Sequence, residues 1–149
     1  MNGIVNKIIG VVLCMGLVLL MLCNVMVATE LHARRSIVAE ATNFLDKVTD
    51  TGYLDEKQLQ DLYLGINGYG PVCDVEVTRF ARVIEPDPKR PGQTYITYMV
   101  TDNIFLWNQG DLCKVKVVET GYTALSYFIY SVLGMSLEPV EFAFTGRIR

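Results

Sequence analysis

The longest pattern in the chain is an unbroken apolar run, IIGVVLCMGLVLLMLCNVMVA from Ile8 to Ala28, in which Asn24 is the one plainly polar side chain and no residue is charged. At about 1.5 Å per residue, an α-helix of this run spans roughly 30 Å, the thickness of a bilayer's hydrocarbon core. The pattern predicts a membrane anchor over residues 1–28. A secretory signal has a shorter apolar part, about 7 to 15 residues, and ends on a small-x-small cleavage site. Here a cut after Ala28 would put Met26 at the third position before it. Leu13 and Leu22 precede Cys14 and Cys23, where a lipoprotein signal needs a small residue. The expectation is an uncleaved, single-pass anchor.

Beyond the run, Leu31, Val38, Ala41, Leu45 and Val48 recur at helical spacing, while Glu30, Arg34, Arg35, Glu40, Asp46 and Lys47 lie mostly off that stripe. No glycine or proline separates this segment from the anchor. One continuous helix from about Ile4 to Val48 is therefore expected, with residues 29–50 extending it out of the membrane and a stripe that must pack on something. Gly52-Tyr53 breaks the pattern. Asp55, with Gln58 three residues later, has the form of a capping box opening a short helix whose buried face would be Leu59, Leu62, Tyr63 and Ile66.

From Pro71 the period changes from helical to two. Cys73, Val75 and Val77 alternate with Asp74, Glu76 and Thr78, the signature of a half-buried strand. EPDPKRPGQ is turn-rich, TYITYMVT is a second strand, and CKVKVVE is a third with Cys113, Val115 and Val117 on one face. YTALSYFIYSVLG is nearly all apolar but too short to span a bilayer, so a helix packed on the sheet is expected. Val140, Phe142 and Phe144 alternate with Glu141, Ala143 and Thr145 in a terminal strand. The fold class is α+β: a long N-terminal transmembrane helix continuing into a small domain, residues 51–149, of antiparallel sheet and short helices.

Composition narrows the function. Apolar residues make up 51% and charged ones 19%, which excludes a disordered chain. Lys7 is the only charged side chain before Glu30, so the formal charge of −3 becomes about −4 beyond the anchor. No basic cluster exceeds Arg34-Arg35, and nucleic acid is not an expected partner. Catalysis has little to rest on. His32 is the single histidine and would be held at the membrane surface, GINGYG lacks the lysine-serine or lysine-threonine of a phosphate loop, and Asp55-Glu56 suit a helix start. No enzyme, cofactor or metal site is expected.

Some side chains remain candidates for contacts. Gly10 and Cys14 form a small-xxx-small pair, and Asn24 either bonds across a helix interface or lies near the headgroups; all three are candidates for packing in the anchor. Asp102 and Asp111 bracket an apolar loop in which Ile104, Phe105, Leu106 and Trp107 would form a docking patch if exposed, or core if folded inward. Cys73 and Cys113 lie on the apolar faces of two strands. In an oxidising compartment they are candidates for a disulfide closing a loop of about 40 residues, worth roughly 3 to 4 kcal/mol; otherwise they are buried thiols.

The layout, together with FLDKVTDTGYLDEKQLQDLYLGINGYGPVCDVEV from Phe44 to Val77, resembles the type IV pilin-like superfamily. It is closest to the TadE-like minor pilins or pseudopilins of tight-adherence secretion and conjugation-like machineries in Gram-positive bacteria. The resemblance is specific over about a quarter of the chain, in a phenylalanine-led helix end, a threonine-glycine break, an acidic short helix and a strand alternating valines with acids. It implies a structural component of a pilus, secretion or conjugation-type apparatus. Its partners would be membrane lipid, other pilin-like or secretion-system subunits and copies of itself, and its domain would lie outside the cytoplasm. Lys7 before the anchor and Arg34 with Arg35 after it favour the opposite orientation if lysine and arginine are counted alone. Classical pilins carry a glutamate five residues into the apolar run, and this run has none. The alternative is a bitopic scaffold or sensory subunit that binds a protein or small ligand without building a filament. A single helix running from anchor to sheet favours the first reading, a hinge the second.

Overall fold

Where the apolar run passes into the amphipathic stripe, the backbone does not break. A computed structural model of the chain describes residues 2–134, 136 and 139–149, and its first element is one helix, α1, Asn2–Thr51. Its 50 residues make a rod about 75 Å long. The rod ends where the sequence places its break: Gly52 takes a left-handed φ of 62°, and its N–H bonds the Val48 carbonyl at 2.9 Å.

The two halves of α1 have different surroundings. From Gly3 to Ala28 the side chains are exposed almost throughout, and this is the one helix among the described residues long and apolar enough to cross a membrane. From Ile37 onward one face is buried. The buried stripe is Ile37, Ala41, Phe44, Leu45 and Val48, shifted from the expected set: Leu31 is exposed, Val38 is half-buried, and Ile37 and Phe44 take the inner positions.

The short helix α2, Glu56–Asn67, starts on the expected capping box. Asp55 Oδ1 accepts from the Gln58 N–H at 2.6 Å, and Gln58 Oε1 accepts from the Asp55 N–H at 3.2 Å. Leu62 and Ile66 are buried against α1, but Tyr63, expected on that face, is exposed and reaches β1 with its hydroxyl, which donates to the Val75 carbonyl at 2.7 Å. A phenol on the flank of a helix keeps its ring wet and spends its O–H on the neighbouring strand.

The sheet has four antiparallel strands in the order β2-β1-β3-β4, with β1 Val72–Pro86, β2 Thr94–Thr101, β3 Leu112–Gly121 and β4 Glu141–Arg147. Strand β1 is long enough to serve two partners. Its first half pairs with β3, Val75 opposite Val117, and its second half pairs with β2, Ile84 opposite Ile96. The alternation of β3 places Cys113, Val115 and Val117 inward, where α1 covers them; Phe142 and Phe144 of β4 flank the same core. The helix α3, Ala124–Leu133, forms where expected and contacts α1. The inner face of the sheet is occupied by the second half of α1.

The chain end locks sheet to rod. Gly146 faces the turn of α1 that carries Thr49, so close that an added Cβ would lie 2.6 Å from the Thr49 methyl and 3.1 Å from Leu45 Cγ. The Arg149 N–H then bonds the Thr49 carbonyl at 3.1 Å. Replacing Gly146 by alanine pushes β4 off the helix and is expected to cost about 1–3 kcal/mol in denaturant unfolding, whereas Ala143→Ser on the exposed face of the same strand leaves stability unchanged.

Candidate functional site

A buried ion pair organises the end of the domain farthest from the apolar half of α1. Asp111, at the mouth of β3, receives Arg79 of β1 through Nε at 2.9 Å and Nη2 at 2.7 Å, both on Oδ2. It also accepts the backbone N–H of Arg82 on Oδ1 and that of Asn108 on Oδ2. Arg79 donates further to the Asn103 carbonyl and lies 5.7 Å from the centre of the Trp107 ring. One carboxylate thus fixes β1 and the start and end of the loop between β2 and β3. Burial alone would raise the Asp111 carboxyl; the two backbone N–H groups and the Arg79 guanidinium outweigh it and hold the carboxyl below its usual range.

This knot decides the fate of the apolar loop. Trp107 is buried under Arg79 and Ile104 packs on the core, while Phe105 and Leu106 face outward, Leu106 at 65% exposure. Leu106 forms a β-bridge with Tyr53, itself exposed. The candidate patch is therefore divided, with Ile104 and Trp107 as interior and Phe105 and Leu106 as surface beside Tyr53. A further apolar surface lies elsewhere, on the β1–β2 hairpin. Along it, Ile84, Ile96, Tyr98, Met99 and Val100 are exposed. Strand β2 is also an edge, with its outer backbone groups open to a further strand.

Cys73 and Cys113 face the same core, as their alternation requires, but they are not bonded. The register explains why. On β3, Cys73 sits opposite Glu119, six residues from Cys113, which places the two cysteines roughly 20 Å apart along the strands, far outside the ~7 Å limit for a bridge. Alternation fixes the face and leaves the register open. Burial pushes the Cys113 thiol up to about 12; burial, then the nearby Glu119 carboxylate, pushes Cys73 up to about 11.

At the end of β3 nearest the apolar half of α1, Glu119 is 2% exposed and meets Arg34 of α1, Oε1 to Nε at 3.3 Å, with Arg34 also 3.6 Å from Glu30. Burial raises the Glu119 carboxyl more than Arg34 lowers it, and Glu30 adds to the rise. In the anchor, Gly10 and Cys14 open a shallow apolar groove with Lys7, Val11, Met15 and Val18 on its walls, a helix face bare for packing and not an enclosed cavity. Asn24 bonds its own helix through Nδ2, which donates to the Leu20 carbonyl at 2.9 Å. No group of three or more candidate metal ligands occurs among the described residues.

Comparison of the chain with protein-family models, curated proteins and solved structures found no match.

Three outcomes follow from the geometry. Thiol titration should find Cys73 and Cys113 unreactive in the native state and free after unfolding, with no shift of band on non-reducing electrophoresis. Asp111→Asn strips the partner from a buried guanidinium and should cost about 3–5 kcal/mol at neutral pH. Because the folded carboxyl is depressed, that difference is present above the ordinary carboxylate value and is lost as pH falls through the lower folded value. Glu119 has the opposite sign. Its raised carboxyl contributes stability below the ordinary value and loses it as pH rises through the folded one, so Glu119→Gln should match the parent in acid and exceed it at neutral pH, read from denaturation midpoints.

Proposed function

We propose that the chain is a membrane-anchored, pilin-like structural component of a bacterial pilus, secretion or conjugation-type apparatus, working through helix packing and protein contacts. The observation that carries this reading is the form of α1: a single helix whose first half is bare and apolar and whose second half is the spine of an antiparallel sheet. A hinge between the halves would let a tethered domain move freely; an unbroken rod makes the position of the domain follow that of the anchor. Such a part transmits packing in the membrane to surfaces outside it.

The physical terms suit assembly. A helix with its backbone satisfied internally exchanges lipid contact for helix contact at low cost, and the Gly10–Cys14 groove lets a neighbouring helix come close. Asn24 spends one N–H on its own backbone and keeps its amide oxygen for a neighbouring helix. Outside the membrane, the open edge of β2 and the apolar hairpin supply contact surface for other subunits. In this reading the domain is extracytoplasmic, and membrane lipid, secretion-system subunits and further copies of the chain are its partners.

A reporter active only outside the cytoplasm, fused after Arg149, should be active, and its counterpart active only inside should be silent. The reverse result would sink the pilin-like reading and leave a cytoplasmic scaffold. In cells with an outside domain, Gly10→Leu should reduce oxidative cross-linking through Cys14 to neighbouring anchors severalfold while leaving membrane insertion unchanged.

A further inference from the structure

We propose that α3 is a second membrane contact, an interfacial helix that lies in the headgroup layer of the bilayer holding the first half of α1. The inference rests on α1 being the anchor, and the register of the sheet along α1 gives α3 its height. At the far end, Arg149 bonds Thr49 and Gly146 abuts Leu45; at the near end, Glu119 of β3 meets Arg34. Strand β3 therefore runs toward the membrane. Arg34 is six residues past Ala28, about 9 Å along the helix. The Val72–Gly121 pair lies beyond Glu119, one or two residues nearer the bilayer, at the level of Glu30 to His32 and within about 6 Å of Ala28. The headgroup layer is roughly 5–7 Å deep on each side of the hydrocarbon core. Helix α3 starts at Ala124, three residues after Gly121, capped by the Thr123 hydroxyl, and packs on α1.

The chemistry of this end fits that layer. The segment ALSYFIYSVL has no charge, and its outer face is unpartnered: Tyr127 is 66% exposed, Phe128 56% and Val132 64%. Tyr69, Val72 and Tyr122 are exposed nearby. Tyrosine rings with an apolar body and a polar tip are favoured at the headgroup level, and an uncharged helix too short to span can lie along it. In water this face would be an uncovered apolar patch. Beside the end of the anchor it has a solvent, the interface itself, and two points of contact fix the tilt of the domain over the membrane.

The test uses the full chain in phosphatidylcholine vesicles containing lipids with a nitroxide either near the headgroup or deep in the acyl chain. Tryptophan is placed in turn at Phe128, Tyr127, Val100 and Leu17; native Trp107 is buried at the far end and gives a constant background. Phe128→Trp and Tyr127→Trp should be quenched by the shallow nitroxide at least twofold more than Val100→Trp, with little change on dilution of protein in lipid. Leu17→Trp should be quenched by the deep one. If Leu17→Trp is quenched while Phe128→Trp and Tyr127→Trp behave like Val100→Trp, the anchor stands and the inference fails. Shielding of the α3 reporters that disappears on dilution overturns it in favour of a second copy on that face. Absence of quenching at Leu17 removes the anchor and the inference together.

Discussion

The domain depends on one contact, the stripe of Ile37, Ala41, Phe44, Leu45 and Val48 against the inner face of the sheet. The helix and the sheet each carry one apolar face, and for both it is the same interface. Remove α1 and Cys113, Val115 and Val117 lose their cover; remove the sheet and the second half of α1 is an amphipathic helix in water with nothing to pack on. Because the first half of that helix is the apolar run, the fold of the domain and the segment long and apolar enough to cross a membrane share one backbone. Inside lipid the rod has no alternative to helix, since every N–H and C=O must be bonded within the segment.

The rest of the molecule trims this interface. The Asp111–Arg79 knot closes the far end, gathering a loop whose tryptophan is needed as interior, and the last residues add Ile148 to the core and bind Thr49. Gly52 ends the rod and lets α2 double back along it, with Leu62 and Ile66 sealing its flank. At the near end a single ion pair, Arg34 to Glu119, replaces apolar packing. Burial of that carboxylate opposes the pair, so the near end is the electrostatically weaker one. The two ends of the sheet thus differ in kind: at the far one Arg79 and two backbone N–H groups outweigh the burial of Asp111, and at the near one burial of Glu119 outweighs Arg34.

Much of this is legible in the residues. Period and length give a helix long and apolar enough to cross a membrane, the uninterrupted rod, the capping box at Asp55, every strand and the inward face of β3. What is missing is information that period does not contain. Alternation puts Cys73 and Cys113 on one face but says nothing of register, and the register separates them. The stripe of α1 drifts to include Ile37 and Phe44 because the sheet selects which of several apolar rows it covers. Helix α3 is apolar enough for a core, and sequence does not say that Tyr127, Phe128 and Val132 stay exposed on it. Within IFLW the inward choice of Trp107 is made by Arg79, a partner 28 residues away that only the fold brings near. The small residues of the anchor and the apolar hairpin are visible as composition; their surroundings are visible only in three dimensions.

The central claim is that anchor and domain are one rigid rod, and its most direct test is a distance. With Cys23 replaced by alanine and Asn43 by cysteine, spin labels at native Cys14 and at position 43 lie on exposed sites 29 residues apart, while Cys73 and Cys113 stay buried and unlabelled. For an unbroken helix in bilayer nanodiscs, pulsed electron resonance should give a single narrow distribution near 44 Å, widened by the label arms. A broad distribution, or one centred well below that length, would mean a hinge at the membrane surface and would contradict the account.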